Sequence, residues 1–333
     1  MMDRPLAIAA CMTLALPALA QPAPEYAPES EPGIPEVRSR ADFDALSPEE
    51  KKIYLSTLDP VRISLSGGAT YTASSFEDIA GDVDVLRIDT DLTFDILAGE
   101  GRNLTIVLGQ ERSFYDFDDA AGIIPAAPAD NDPISDAQRV YLRPTFDVID
   151  DSGWGWFLTG SLEFAGEPGA VFDDSFTIGG GGGVTYQVAD GLRLGLGVLG
   201  STRVEESGLV IPFPIIEWTI AEDWSFNLGR RNAGAVLAYQ ARDDLSLSLG
   251  VSFGQREYRL DDDNVVSNGV LIDRGVPITL AAAWKPSSNV TLTGRAGTLV
   301  AGEIEFTDSR GNRLNREDRD PGLIVGFDLR IAF

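Results

Sequence analysis

The 333-residue chain has no histidine and a single cysteine, Cys11. Without an imidazole, Ser-His and Asp-His catalysis are closed to it. Carboxylate-only or lysine-based chemistry would need a constellation of groups that the sequence does not present, so no enzyme and no cofactor are expected. A lone cysteine makes no disulfide within the chain. Basic residues are few: 26 Lys and Arg stand against 52 Asp and Glu, a formal net charge of −26. Phosphate binding needs a positive surface, so nucleic acid is not an expected partner. Long apolar runs are missing too. Beyond Ala20 no stretch of about 18 apolar residues offers a transmembrane helix.

What is present begins with an export signal. Arg4 is followed by an apolar run from Leu6 to Leu16 and by the small-x-small site Ala18-Leu19-Ala20. The pattern predicts a signal peptide over residues 1–20, cut after Ala20. Ile8-Ala9-Ala10-Cys11 also fits a lipoprotein pattern, but too few residues separate Arg4 from Cys11 to form an apolar core ahead of the cut. Residues 21–46 are rich in Pro, Glu and small side chains and predict an extended linker. Ser47, Pro48 and Glu50 then form a capping box, which predicts a short helix in 47–60, either periplasmic or serving as a plug for the domain after it.

From Val61 to Phe333 the hydrophobic period is two. Alternating segments predict strands near 61–73, 82–97, 102–115, 138–149, 153–165, 175–188, 191–204, 210–221, 223–231, 234–242, 244–258, 275–285, 290–303 and 322–333. Pro212 and Pro214 weaken the assignment around 210–242, which leaves twelve strands as the alternative to fourteen. Tight connections such as AGEGRN, DDSG, ADG, AED, RDD and KPSSN alternate with longer ones around 116–137, 259–274 and 304–321. Tight turns on one rim and long loops on the other are the pattern of an outer-membrane barrel. All five tryptophans, Trp154, Trp156, Trp218, Trp224 and Trp284, lie close to tight turns on one strand face. Amphipathic rings favour the headgroup level, so they read as an aromatic girdle.

The chain closes on "GLIVGFDLRIAF", in which Leu323, Val325, Phe327, Leu329, Ile331 and Phe333 alternate with small or charged residues, Ile324 excepted. With the signal peptide and the alternating strands, this resembles the bacterial outer-membrane β-barrel proteins. In that class the last strand typically ends in an aromatic residue, usually Phe, that the barrel-assembly machinery reads. The resemblance implies an all-β fold, a closed antiparallel transmembrane barrel preceded by a short helix, with Phe333 as assembly signal. It also implies location in the cell outer membrane, among lipid and lipopolysaccharide. Unpaired backbone groups cost several kcal/mol each in hydrocarbon, so the last strand must pair with the first.

If the tryptophan face meets lipid, the opposite face lines the lumen. Its charged candidates include Arg87, Asp89, Asp91, Arg139, Arg143, Asp147, Glu163, Arg193, Arg203, Glu217, Arg295, Asp328 and Arg330. Such charges either line a water-filled path and set its selectivity or pair into a network that fills a narrow barrel. Gly179, Gly181, Gly183, Gly195 and Gly197 share that inward face. They leave room for solvent, an infolded loop or the helix, or simply permit strong curvature. "DDDN" at 261–264 lacks calcium-loop spacing, and the glycine run at 179–183 lies inside a strand, so neither a metal nor a phosphate site is expected. The expected function is a passive channel or transporter for small solutes. The alternative is a non-conducting structural or surface-interaction barrel with acidic outer loops.

Overall fold

The computed structural model describes residues 61–333 except 100, 119–122, 125–132, 151, 205–207 and 230–233. The expected signal peptide, linker and helix fall outside the described residues. Sixteen strands follow one another: β1 (Val61–Ser75), β2 (Asp82–Leu97), β3 (Arg102–Asp118), β4 (Asp136–Ile149), β5 (Trp154–Gly166), β6 (Phe176–Ala189), β7 (Leu192–Ser201), β8 (Leu209–Ala221), β9 (Trp224–Leu228), β10 (Gly234–Arg242), β11 (Leu245–Ser252), β12 (Gly254–Arg259), β13 (Val270–Ser287), β14 (Val290–Thr307), β15 (Arg313–Arg319) and β16 (Gly322–Ala332).

All but β12 and β15 join one antiparallel ring, which therefore has fourteen strands. The ring closes where β1 meets β16, from Ser64 opposite Ala332 to Ala73 opposite Leu323. Closure leaves no sheet edge facing lipid, the condition a strand must meet to cross hydrocarbon. The Phe333 amide donates to the Ile63 carbonyl at 2.8 Å and completes the seal at the tight-turn rim. One stretch of the wall is looser. β1 and β2 pair at Val61–Ile63 with Phe94–Ile96 and again at Ser74–Ser75 with Asp82–Val83, in one unbroken register. Between those ends their ladder is interrupted, and the Ser66 hydroxyl donates to the Asp91 carbonyl across the gap.

Two expectations are corrected at the other rim. The segments 259–274 and 304–321, expected as long loops, contain strand. β13 starts at Val270, β14 runs on to Thr307, and β15 pairs back onto the end of β14. The segment expected as one strand over 244–258 breaks at Phe253 into β11 and β12. The upper halves of β13 and β14 leave the barrel at a bulge, marked by a register shift between Arg274 and Val276 and a left-handed Ala301 (φ 48°). Bulges bend a strand and increase its twist. Beyond the bulge, β12, β13, β14 and β15 form a small sheet that folds across the mouth, where Arg259 of β12 bridges to Gly166 of β5.

The hydrophobic pattern inverts at this rim. Along β2, Leu86, Leu92 and Phe94 lie on the outer face and Arg87, Asp89 and Asp91 on the inner one. Two residues higher, Val83 and Val85 are the inner ones and fully buried, and Asp82 and Asp84 are outside. In β3, Tyr115 and Phe117 point inward, and Asp116 and Asp118 point outward. Above the bilayer water lies outside and packed protein inside, so burial favours the opposite phase. The inward Ile324, buried near the same rim, follows that rule.

Candidate functional site

The inward side chains form two layers. The upper one is an apolar cap that draws Val83, Val85, Tyr115, Phe117, Ala137 and Ala165 from the barrel wall. Phe76, Ile123, Ile124, Ile134, Leu260 and Val266 come from loops, and Tyr258, Leu271, Ile304 and Phe306 from the sheet over the mouth. Phe76 stacks on Phe117 at 6.5 Å, and Tyr115 meets Tyr258 edge-on at 6.3 Å. Fully burying side chains of this size contributes roughly 1.5–3 kcal/mol each. Apolar burial therefore outweighs any exposed ion pair in holding the cap.

Under and through the cap run buried ion pairs. Asp273 of β13 accepts from Arg319 of β15 at 2.6 Å, from the Tyr115 hydroxyl at 3.0 Å and from Arg87 of β2. Glu111 of β3 receives Arg256 of β12 through Nε and Nη2, at 2.7 and 2.8 Å, and the Tyr258 hydroxyl at 3.0 Å. Glu257 takes Arg203 at 2.6 Å and the Val204 amide at 3.1 Å. Arg274 bridges Glu303 and Glu305 within the sheet over the mouth. A two-point arginine–carboxylate contact fixes geometry as well as charge. These pairs set the position in which the cap docks.

Lower in the barrel Glu163 accepts from Arg139 at 2.6 Å and from Arg143 at 3.4 Å, and Arg143 lies 4.1 Å over the Tyr141 ring. The Tyr141 hydroxyl donates to Asp91 at 2.6 Å. Arg295 holds Asp328 at 2.9 Å and Thr70 at 2.7 Å, and Arg330 donates to Ser64 at 3.0 Å. Arg193 and Glu217 stand 4.0 Å apart across β7 and β8. Asp147 sits opposite Asn103 near the tight-turn rim, half-exposed. Arg203 lies just past the end of β7, at the cap instead of the mid-wall.

Sequence reasoning missed Asp273, Glu257, Glu303, Glu305 and Arg319, because it placed most of them in loops or on a loop's margin. The usable signal was the alternation in "EIEF", whose period of two continues past the expected strand end, and the short apolar run "VLI" ahead of Asp273. The glycine-bearing wall is filled from within. A Cβ on Gly183 would lie 2.5 Å from the Phe157 ring, and one on Gly197 would lie 2.4 Å from the Phe213 ring. Those two aromatic rings take the room that the glycines leave.

On the outer face the five tryptophans are each more than two-fifths exposed. Three of them lie against other rings at the tight-turn rim. Trp154 lies 4.9 Å from Tyr186, Trp156 5.5 Å from Phe146, and Trp224 4.8 Å from Tyr239. The Trp284 indole N–H donates to Asp244 of the neighbouring turn at 3.1 Å. Between the rims the outer face is apolar and exposed, with Leu158, Leu196, Leu280 and Phe327 all above half exposure. A closed ring with such a belt is a transmembrane barrel of the outer-membrane type.

No family model and no curated protein matches the chain. Among solved structures it is similar to an outer-membrane channel from Pseudomonas putida, at 10% identity over 81% of this chain and 95% of that one, with a TM-score of 0.45. A FadL homologue from Pseudomonas aeruginosa aligns at 9% identity over 84% and 91%, with a TM-score of 0.42. The toluene transporter TodX of P. putida aligns at 10% identity over 84% and 91%, with a TM-score of 0.39. The fold stands on the strand register itself.

Proposed function

We propose that the barrel is a passive outer-membrane channel for small solutes. One observation carries this: below the cap the inward face is polar and only partly buried, with Thr93, Thr105, Thr145, Asp147, Ser246 and Thr291 lining it towards the tight-turn rim. A wall of hydroxyls and charges suits a hydrated solute. An apolar solute would gain little from it. Transport of this kind needs no reaction, in keeping with a chain that has no histidine. Lipid and lipopolysaccharide meet the apolar belt in this proposal, and the tryptophans form its periplasmic girdle. The signal peptide over 1–20 directs export, and Phe333 is the terminus that the barrel-assembly machinery reads.

The packed loop-side cap favours a second proposal, a non-conducting barrel that presents acidic loops to surface partners. Recording purified protein in planar bilayers separates the two. Discrete conductance steps are the expected result. Silence at high voltage and high salt would sink the channel and leave the surface barrel.

A further inference from the structure

Three inward carboxylates lie side by side where β16, β1 and β2 meet. Asp328 faces Gly68 in the β1–β16 register, and the β1–β2 register, fixed at both of its ends, sets the same glycine opposite Asp89. Asp91 follows two residues along β2. Paired strands lie about 4.8 Å apart, so with the β1–β2 ladder open here the Cα atoms of Asp89 and Asp328 stand at least about 10 Å apart across a residue with no side chain. Both carboxylates therefore project into the same space above Gly68.

Their partners differ. Asp91 receives the Tyr141 hydroxyl, and Asp328 uses Oδ1 for Arg295, leaving Oδ2 buried with no partner. Among the described residues no arginine pairs with Asp89, whose Oδ2 is also buried and bare, although the residue is only 8% exposed. Its other neighbour, Glu111, is fully engaged by Arg256. A buried carboxylate without a counter-charge or a hydrogen bond costs several kcal/mol, so such groups are found paired, ligating a cation or protonated.

We infer that Asp89 and Asp328 form a binding station for a small inorganic cation in the lumen wall, above Gly68. Arg295 brings one positive charge to the two carboxylates, and the cation balances the second and fills two empty acceptor positions. Only two carboxylates offer free oxygens, so the ion keeps part of its water, as an alkali cation readily does. Binding itself does not require conduction. Its consequence, a lumen that favours cations over anions, rests on the channel proposal.

The test compares thermal unfolding of the purified full-length barrel in potassium chloride and in choline chloride at equal ionic strength. The organic cation buries its charge under methyl groups and serves as the control that carboxylate oxygens do not ligate. The wild type should melt about 2–4 °C higher in potassium. Asp89→Asn should abolish that difference, while Asp190→Asn, in the exposed β6–β7 turn, should retain it. Equal midpoints for the wild type in the two salts would overturn the station, and so would a potassium effect that survives in Asp89→Asn. A carboxyl that is merely protonated gives the first of those results. In bilayers a salt gradient should show a cation preference that Asp89→Asn reduces several-fold. A barrel that melts as expected but stays silent keeps the station and loses the channel.

Discussion

Asp273 is the point where three strands of the cap and wall converge, through Arg87, Arg319 and Tyr115. Asp273→Ala strands two buried guanidinium groups and should cost about 3–5 kcal/mol. Equilibrium unfolding in urea would register the loss. Arg112→Ala, at an exposed pair with Asp136, should cost under about 1 kcal/mol in the same measurement. Glycines give a second contrast. Gly197→Val drives a branched side chain into the Phe213 ring and should destabilise by roughly 1–3 kcal/mol, whereas Gly294→Ala enters open space and should change little. At this scale the sequence showed which positions face inward but not which of them would pair. Ile324 looked like an exception to alternation until the inner surface at the loop rim proved apolar.

Among the elements, the fourteen ring strands were legible because each carries one apolar face over most of its length. β15 was not, for a physical reason. Its buried residues are Glu317 and Arg319, so it docks through charge, and hydrophobic periodicity cannot register it. The inversion of pattern in β2 and β3 was equally hidden, since two adjacent apolar residues such as Val85 and Leu86 mark it only when the membrane boundary is known. The interrupted ladder between β1 and β2 should show in hydrogen exchange. Amides of Ser64–Ala73 that point towards β2 should exchange faster than those pointing towards β16, and uniform protection would contradict the gap. The turn at Asp308–Asn312 makes a pH prediction. The Asn312 side chain and amide and the Arg310 amide all donate to the Asp308 carboxylate, which holds it below its ordinary range. A depressed carboxyl lends order above its unfolded pKa and loses it as pH falls through the folded one. Line broadening of the Arg310 and Asn312 amides should therefore begin only under acid, and Asp308→Ala should show it at neutral pH.

For the molecule as a whole, the ring, its even strand number and its exposed belt followed from period, turn lengths and the rule that hydrocarbon tolerates no open edge. The sheet across the mouth did not follow. It depends on contacts between residues far apart in sequence, such as Arg256 with Glu111 and Arg319 with Asp273. Two strands of that sheet, β13 and β14, continue wall strands through the bulge with no loop between on which to swing. Clearing the mouth must then resemble partial melting more than the turning of a door. If ions pass, the frequency of passage events should climb several-fold for each 10 °C of warming. The size of each current step should rise only as fast as water thins.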